Sequence, residues 1–287
     1  MSGEKIIKAG VMGWPVDHSL SPLVHGFWLD HFKINGTYER IAVEPKNLER
    51  ELLALGQNGF AGVNITVPHK EAALKIVDET DEMAARIGAV NTIAVKDDGK
   101  LFGLNTDGFG FIENLKSGAP DFDFTKSPAV VLGAGGAARS VVGALLGAGT
   151  PEVRIINRSG ARAEALAMDL APHWDGDIAI VPWDHRTAAL TEAGLLVNTT
   201  TLGMKGQPEL EISLDRLAPD AVVNDIVYNP LETKLLKNAK EHGFAVVDGI
   251  GMLLHQARPG FKLWFGVDAK VSDELRAHVL HALKGSK

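Results

Sequence analysis

Short apolar runs recur along the first part of the chain and alternate with segments whose apolar residues are spaced as on one helix face. The pattern predicts strands at 5–13, 38–43, 62–67, 90–95 and 101–104, and helices at 21–32, 45–57 and 71–77. The last two strands are joined by Asp97-Asp98-Gly99, a strong turn signal, and should form a hairpin. Elsewhere the alternation of strands and helices favours a mainly parallel sheet.

A regular strand–helix repeat follows Asp107. It predicts strands near 129–133, 153–157, 178–182, 194–198, 221–225 and 245–248, and helices at 109–116, 139–146, 160–171, 232–242 and in the tail from 252 to 283. We therefore expect an α/β protein with two domains and a cleft between them. Residues 107–249 should form a Rossmann-type nucleotide-binding domain. Residues 1–106 and 250–287 should form a discontinuous substrate-binding and catalytic domain, which the C-terminal helices close.

The segment Ala-Val-Val-Leu-Gly-Ala-Gly-Gly-Ala-Ala, residues 129–138, reads as a buried strand that runs into a glycine loop and a helix. Gly133 permits the tight turn, Gly135 lets a pyrophosphate approach the backbone, and Ala138 allows close helix–strand packing. The N–H groups at the helix start, from Ala134, Gly136 and Ala137, would attract phosphate. The segment predicts a dinucleotide site, although similar strings also occur in ordinary turns between strands and helices.

The next predicted strand ends at Asn157-Arg158-Ser159, and Arg162 follows. A domain that binds NAD usually has an acidic residue near this position, which holds the ribose 2′-hydroxyl. A guanidinium can instead pair with a 2′-phosphate in bidentate fashion. The sequence thus favours NADP as the cofactor, while solvated surface arginines beside the Ser159 N-cap are the alternative.

Composition and charge restrict the other classes of protein. A chain of 287 residues is long enough for two domains, and it contains no cysteine, which excludes disulfides and thiolate metal sites. We expect no bound metal. The formal net charge of −7 argues against a nucleic-acid partner, and no apolar run is long enough to span a membrane. The start of the sequence leads into a strand rather than a signal peptide. We expect a cytoplasmic protein with a small-molecule substrate, monomeric or homodimeric.

A dinucleotide domain indicates hydride transfer, which also needs a proton donor and groups that orient the substrate. Ser19 and Ser21 precede a predicted helix and could bind a carboxylate at its N-terminus; alternatively, Ser21 is the N-cap before Pro22. Asn64 and Thr66 share one face at the C-terminal end of a predicted strand, where ligands bind in α/β sheets.

Two charged residues are candidates for proton transfer. Lys70 lies at the opening of a helix, where the dipole disfavours an ammonium and so favours acid–base use. The alternative is a solvated surface lysine. Asp107 either caps the next helix or pairs with Lys70 to relay a proton to or from a hydroxyl. Asn91, in Gly-Ala-Val-Asn-Thr, is a further polar candidate.

Three later segments, residues 197–204, 225–230 and 249–256, each follow a strand of the nucleotide domain and should line the crevice. Their candidate residues are Thr199, Ile226, Tyr228, Gly249, Met252 and Gln256. The alternatives are turn chemistry for the glycines and prolines, and core packing for Met252.

Taken together, these segments resemble the shikimate dehydrogenase family. The resemblance covers almost the whole chain and rests on Ser-Leu-Ser-Pro, Asn-Ile-Thr-Val-Pro-His-Lys, Gly-Ala-Val-Asn-Thr, Asn-Thr-Asp-Gly, Gly-Ala-Gly-Gly-Ala, Asn-Arg-Ser, Asp-Ile-Val-Tyr-Asn-Pro and Gly-Met-Leu-Leu-His-Gln, in the family order. It implies reversible NADPH-dependent reduction of 3-dehydroshikimate to shikimate, a step of aromatic amino-acid biosynthesis.

The resemblance also implies roles for individual residues. Lys70 and Asp107 would be the catalytic pair, and the substrate would be bound by Ser19, Ser21, Asn64, Thr66, Asn91, Tyr228 and Gln256. The cofactor would contact Gly133, Ala134, Gly135, Gly136, Ala137, Asn157, Arg158, Ser159, Arg162, Thr199, Ile226, Gly249 and Met252. One alternative is a quinate/shikimate dehydrogenase with relaxed use of cofactor or substrate. Another is a regulatory protein that binds NADP without catalysis.

Overall fold

The computed structural model describes residues 6–285 and divides into two compact units. Unit 1 combines the described parts of Met1–Thr106 and Leu253–Lys287, and unit 2 is the continuous segment Asp107–Met252. The ends of the chain therefore share one unit, and unit 2 is an insertion between them. The assignment of substrate binding to unit 1 and of cofactor binding to unit 2 stays a prediction.

Unit 1 is built on a mixed six-stranded sheet with the order β2-β1-β3-β5-β6-β4. Its strands are β1 (Ile7–Gly13), β2 (Gly36–Ala42), β3 (Phe60–Ile65), β4 (Glu79–Thr80), β5 (Thr92–Val95) and β6 (Leu101–Leu104). Its helices are α1 (Ser21–Phe32), α2 (Leu48–Leu53), α3 (Lys70–Leu74), α4 (Glu82–Ile87), α9 (Ile250–Phe265), which begins in unit 2, and α10 (Asp273–Gly285). Strands β1, β2 and β3 pair in parallel, and β5 pairs antiparallel with β3 and β6, which confirms the predicted hairpin.

The packing of α9 against this sheet requires glycine at position 62. Trp264 of α9 lies across β3 and donates from its indole nitrogen to the Ile93 carbonyl at 3.0 Å. A side chain at Gly62 would collide with both groups, so the close approach of helix and sheet requires glycine there. The C-terminal helices are thereby bound to the sheet formed by the N-terminal residues.

Unit 2 contains a six-stranded, wholly parallel sheet with the order β12-β11-β10-β7-β8-β9. Its elements are α5 (Asp107–Gly118), β7 (Ala129–Leu132), α6 (Gly136–Gly147), β8 (Glu152–Asn157), α7 (Gly160–Leu170), β9 (Asp177–Pro182), β10 (Leu195–Asn198), β11 (Val222–Asp225), α8 (Lys234–Glu241) and β12 (Ala245–Val247). This is the strand order of a doubly wound dinucleotide fold, and the order reverses between β7 and β10. Ligands bind such sheets at that reversal, next to the predicted glycine loop.

One predicted element differs from the structure, and two elements of the structure were not predicted. The helix expected over 45–57 is a 3₁₀ turn, Pro45–Asn47, followed by the shorter α2, and the sequence pattern did not predict β4 or α4 at all. The Asp81 side chain caps α4 by accepting from the Ala84 N–H at 2.7 Å, and Gly88 ends it with φ of +76°. No helix within residues 6–285 combines the length and the apolar character needed to cross a bilayer.

Candidate functional site

Several polar side chains of unit 1 form one hydrogen-bonded group, in which five residues are buried and Tyr38 is half-buried. We call this group the polar cluster; it comprises Ser21, Tyr38, Asn64, Asn91, Thr92 and Thr106. All six are uncharged. A cluster of this kind can orient a polyhydroxylated ligand through neutral donors and acceptors.

Tyr38 fixes the carboxamide of Asn64 within the polar cluster. Its hydroxyl donates to Asn64 Oδ1 at 2.6 Å, and Asn64 Nδ2 donates to Thr92 Oγ1 at 2.9 Å and to the Asn91 carbonyl at 3.3 Å. Because both amide hydrogens are used, Asn64 presents acceptor capacity to a ligand. Burial raises the pKa of the Tyr38 phenol well above its usual range, despite a hydrogen bond with Ser21, so the hydroxyl stays a donor.

His25 supports the ring of Tyr38. The two rings stack with centroids 3.9 Å apart and an interplanar angle of 4°. Burial lowers the pKa of His25 to about 3, although the Asn64 carboxamide acts in the opposite direction. The imidazole is therefore neutral and serves as a flat packing surface rather than a proton carrier.

Replacing Tyr38 by phenylalanine is expected to lower the free energy of unfolding by about 1–3 kcal/mol, since the buried Asn64 oxygen loses its donor while the ring stack is kept. Denaturant unfolding of the full chain measures the change. The other tyrosine of the sequence, Tyr228, is half-buried, and its replacement by phenylalanine is the matched control. Equal decreases in the free energy of unfolding of both variants would show that the Tyr38 hydroxyl makes no specific contribution to stability.

Within the polar cluster, Asn91 is hydrogen-bonded to Thr106, the residue before Asp107. Its Oδ1 accepts from the Thr106 N–H at 2.7 Å, and its Nδ2 donates to Thr106 Oγ1 at 3.0 Å. Thr106 Oγ1 also donates to the Gln256 carbonyl at 2.8 Å, and Gln256 Nε2 donates to the Leu253 carbonyl at 3.1 Å. Thr106 thus contacts both predicted binding residues, Asn91 through its side chain and Gln256 through its backbone carbonyl.

The predicted carboxylate-binding serines are placed at the start of α1. The N-cap is Leu20, so the interpretation of Ser21 as the N-cap is wrong; Ser21 is the first helical residue. Ser19 Oγ accepts from the Ser21 N–H at 3.3 Å, and the Ser19 carbonyl accepts from Arg40 Nη2 at 2.7 Å. Thr66 follows the end of β3, and its N–H donates to the Met12 carbonyl at 2.9 Å.

Lys70 is the first residue of α3 and is half-buried. Its backbone is fixed on both sides: its carbonyl accepts from the Val90 N–H at 3.0 Å, and the buried His69 ring contacts the Val43 carbonyl at 2.7 Å. Asp107 begins α5 and is buried. Lys70 belongs to unit 1 and Asp107 to unit 2, and their pairing stays a prediction.

The glycine loop of unit 2 has room for a phosphate group. A side chain built at Gly135 or Gly136 would meet only open space, and the N-terminus of α6 begins there. Gly133 has φ of +113°, and a Cβ on it would lie 2.5 Å from Thr199 Oγ1. Thr199 itself is bound to the end of β7, because its hydroxyl donates to the Leu132 carbonyl at 2.6 Å. These features fit a pyrophosphate at the helix N-terminus.

A cavity of about 540 Å³ lies where β8 and β9 end. Its wall is formed by Asn157, Arg158, Gly160, Glu164, Ile180, Val181, Pro182, Trp183 and Asp184. The exposed Arg158 is the positively charged side chain of this wall. Among the described residues that line the cavity, Arg162 is not included. Ser159 occupies the N-cap position of α7 without a capping hydrogen bond from its side chain. The wall also carries the carboxylates of Glu164 and Asp184.

Asp225 links the loops that follow β10 and β11. Its carboxylate accepts from Thr233 Oγ1 at 2.7 Å, from Asn198 Nδ2 at 3.0 Å and from the Val227 N–H at 3.0 Å. Asn198 Oδ1 in turn accepts from the Thr200 hydroxyl at 2.7 Å, which shapes the loop after Thr199. Burial raises the pKa of Asp225 to about 6, because the desolvation of the carboxylate outweighs these hydrogen bonds.

Asp225 should therefore make stability depend on pH. Because its folded-state pKa lies above the unfolded value of 3.8, its stabilising contribution is complete below that value and is lost as pH rises through about 6. Asp225→Asn cannot ionise, so its stability relative to the parent should rise by about 3 kcal/mol between pH 4 and pH 7. Denaturant unfolding across this range measures the difference.

The matched control is Asp220, which is exposed and has a lowered pKa because of its hydrogen bond with Lys126. The stability of Asp220→Asn relative to the parent should move in the opposite direction as pH rises. A pH-independent difference for Asp225→Asn would contradict the expected titration.

Packing accounts for the identity of Gly249 and Met252, two of the remaining predicted residues of unit 2. A side chain at Gly249 would collide with the Ile226 carbonyl, so the two segments meet only because glycine is there. Met252 packs against the hydrophobic core that contains β7 and α6, as its core-packing interpretation predicts. Burial raises the pKa of the half-buried Tyr228. Contacts of these residues with ligands stay predictions.

Sequence reasoning missed three residues that shape these sites. Tyr38 and Thr106 carry the hydrogen bonds of the polar cluster, and Trp183 forms part of the Arg158 cavity. A signal existed for Trp183, since it directly follows the strand next to the one that ends before Arg158. Tyr38 lies inside an edge strand and had no such signal.

Comparison with known families matches most of the chain. The family models that match describe a shikimate dehydrogenase substrate binding domain over residues 11–93, a shikimate/quinate 5-dehydrogenase over 116–202 and a shikimate 5'-dehydrogenase C-terminal domain over 249–273. A shikimate dehydrogenase (NADP(+)) of Rhodospirillum rubrum is 57% identical over 272 residues, which are 95% of this chain and 96% of that protein.

Two solved structures extend the comparison. Shikimate 5-dehydrogenase of Thermus thermophilus, in complex with NADP(H) and shikimate, has a TM-score of 0.83 at 37% identity and covers 98% of this chain and 100% of its own. Quinate dehydrogenase of Corynebacterium glutamicum, in complex with NAD, has a TM-score of 0.88 at 32% identity over 96% of this chain and 99% of its own.

Proposed function

This chain belongs to the shikimate dehydrogenase family, and from that premise we propose that it catalyses the reversible NADPH-dependent reduction of 3-dehydroshikimate to shikimate. The observation that carries the proposal is the uncharged polar cluster of unit 1, in a chain whose unit 2 has an open glycine loop and the Arg158 cavity. The reaction is a step of aromatic amino-acid biosynthesis.

The polar cluster suits a cyclic acid with several hydroxyl groups. Asn64 offers an acceptor for a ring hydroxyl, because its amide hydrogens are bound to Thr92 and to the Asn91 carbonyl. Ser19 and Ser21, at the start of α1, are the proposed ligands of the substrate carboxylate, where N–H groups of the helix also favour an anion. Thr66, Asn91, Tyr228 and Gln256 complete the proposed set.

Proton transfer falls to Lys70 in this proposal. In the reductive direction its ammonium protonates the carbonyl oxygen as that oxygen gains negative charge, and in the oxidative direction its amine takes the hydroxyl proton. Asp107 would orient the lysine and the hydroxyl. When bound, NADPH supplies the hydride. The fixed backbone around Lys70 reduces the cost of holding the ammonium in place.

The cofactor assignment to NADP rests on Arg158 and on the glycine loop. Backbone N–H groups near Gly135 and Gly136 would hold the pyrophosphate, and the Arg158 guanidinium would pair with the 2′-phosphate. Thr199, Ile226, Gly249 and Met252 are the proposed contacts on the nicotinamide side.

Initial rates with shikimate and quinate, each with NADP and NAD, test the proposal. We expect the highest kcat/KM with shikimate and NADP. Comparable rates with quinate would instead support the quinate/shikimate alternative, which the likeness to a quinate dehydrogenase keeps open. An absence of turnover with all four pairs, together with binding of NADP, would support the regulatory alternative.

The compartment and the oligomeric state of the enzyme are also part of what we propose. We place it in the cytoplasm, as a monomer or a homodimer that has no nucleic-acid partner. Cell fractionation tests the compartment, and light scattering of the purified chain tests the oligomeric state.

A further inference from the structure

We infer that Trp183 is a positioning residue for cofactor selectivity, which holds the Arg158 guanidinium ready for the 2′-phosphate. The inference rests on the proposed use of NADP. Strands β8 and β9 are parallel neighbours whose register pairs Asn157 with Pro182. The next residues, Arg158 and Trp183, therefore leave the sheet side by side at its carboxyl edge, and both form the wall of the same cavity.

The two side chains are in contact. The guanidinium carbon of Arg158 lies 5.4 Å from the ring centroid of Trp183, which is within the range of a cation–π interaction. A guanidinium attracted by an aromatic face keeps N–H groups available at its edge, the part that pairs with phosphate oxygens. The indole thus limits the motion of an otherwise exposed arginine without using its hydrogen-bonding capacity.

Trp183 is itself held by the residues that follow it. Arg186 lies 5.2 Å from the same ring centroid, donates from Nη1 to the Trp183 carbonyl at 3.1 Å and donates from Nε to the Glu211 carbonyl at 2.9 Å. Backbone and side chain of Trp183 are therefore both contacted by an arginine whose own position is fixed. The tryptophan is a supported surface rather than a mobile side chain.

The acidic residues in the cavity wall explain why such support matters. Glu164 and Asp184 are exposed there and would repel a phosphate or attract the Arg158 guanidinium to themselves. Within residues 6–285, neither carboxylate forms an ion pair with Arg158. Contact with Trp183 favours the arrangement in which the positive charge of Arg158 stays directed to the ligand.

Calorimetric titration with adenosine 2′,5′-bisphosphate and with 5′-AMP tests the inference on the full chain. Trp183→Ala should weaken binding of the bisphosphate about 3- to 10-fold and leave binding of 5′-AMP nearly unchanged. Trp183→Phe keeps an aromatic face and should retain most of the affinity. In an Arg158→Ala background, the loss caused by Trp183→Ala should largely disappear, because the two residues act through one contact.

Three results would overturn the inference. Equal weakening of both ligands would make Trp183 a surface for adenine or a structural residue, and losses that add independently to those of Arg158→Ala would separate the two side chains. If the parent chain itself fails to discriminate the bisphosphate from 5′-AMP, the NADP assignment fails, and the inference fails with it. Trp174→Ala, in the same unit, is the control for general effects of losing a tryptophan.

Discussion

Lys70→Ala is expected to lower kcat for shikimate oxidation by about 10²- to 10⁴-fold, the usual contribution of general acid–base assistance. The KM for shikimate should change little, because binding is spread over the uncharged groups of unit 1. Alanine at this position keeps the hydrogen bond of the residue-70 carbonyl and the contact of the His69 ring, and far-UV circular dichroism of the variant checks that it folds. Steady-state rates over a range of shikimate concentrations separate the two parameters.

Lys75→Ala is the matched control, because Lys75 is the exposed residue that follows α3 and carries the same charge. It should leave both parameters near their parent values. A Lys70→Ala variant that loses affinity while kcat stays intact would make the lysine a binding residue instead. If Asp107→Ala changes neither parameter, the Asp107 carboxylate takes no part in catalysis; because Asp107 is the first residue of α5, it is not the N-cap of that helix either.

Arg158→Ala is expected to raise the KM for NADP about 10- to 150-fold. This range corresponds to the loss of one charge-assisted contact, which contributes roughly 1.5–3 kcal/mol to binding. The KM for NAD should stay almost unchanged, since NAD lacks the 2′-phosphate. Rates with both cofactors at saturating shikimate provide the measurement. Arg162→Ala should have a smaller effect, since Arg162 lies outside the wall of the cavity as described.

Arg50→Ala removes the same charge from an exposed ion pair with Glu51 in unit 1 and serves as the control for net charge. Its effect on either cofactor should be small. Should Arg158→Ala weaken NADP and NAD to the same extent, Arg158 would be a structural residue, and the selectivity would need another source.

The sequence predicted most of the fold because its strands carry strong local signals. The central parallel strands of unit 2, such as β7 and β10, are buried on both faces and read as continuous apolar runs. The miss at α4 has a physical reason, since Asp81 and Gly88 mark its ends but a helix of six residues shows little periodicity. The helix predicted at 45–57 is shorter in the structure, because α2 ends at Leu53 and turns lead the chain into β3 even though Leu55 is still buried.

The residues that spacing alone indicated as candidates lie at the ends of strands and at the starts of helices. Gly133, Asn64 and Arg158 lie at strand ends and Lys70 begins a helix, while their contacts with ligands stay predictions. Tyr38 and Thr106 were not found, because their roles depend on contacts with Asn64 and Gln256 that only the folded sheet creates. Family resemblance supplied the roles of Tyr228 and Gln256, which no local pattern indicates.

Unit 1 is formed by two segments of the chain that are separated by unit 2, and this affects how the chain folds during synthesis on the ribosome. Trp28 donates to the Lys270 carbonyl at 3.2 Å and Trp264 to the Ile93 carbonyl at 3.0 Å, across separations of 242 and 171 positions. Unit 2, which is continuous, is complete in the nascent chain before the last helices exist. The N-terminal sheet therefore lacks its contacts with the C-terminal segment, and leaves apolar surface uncovered, until residues 253–285 have been synthesised.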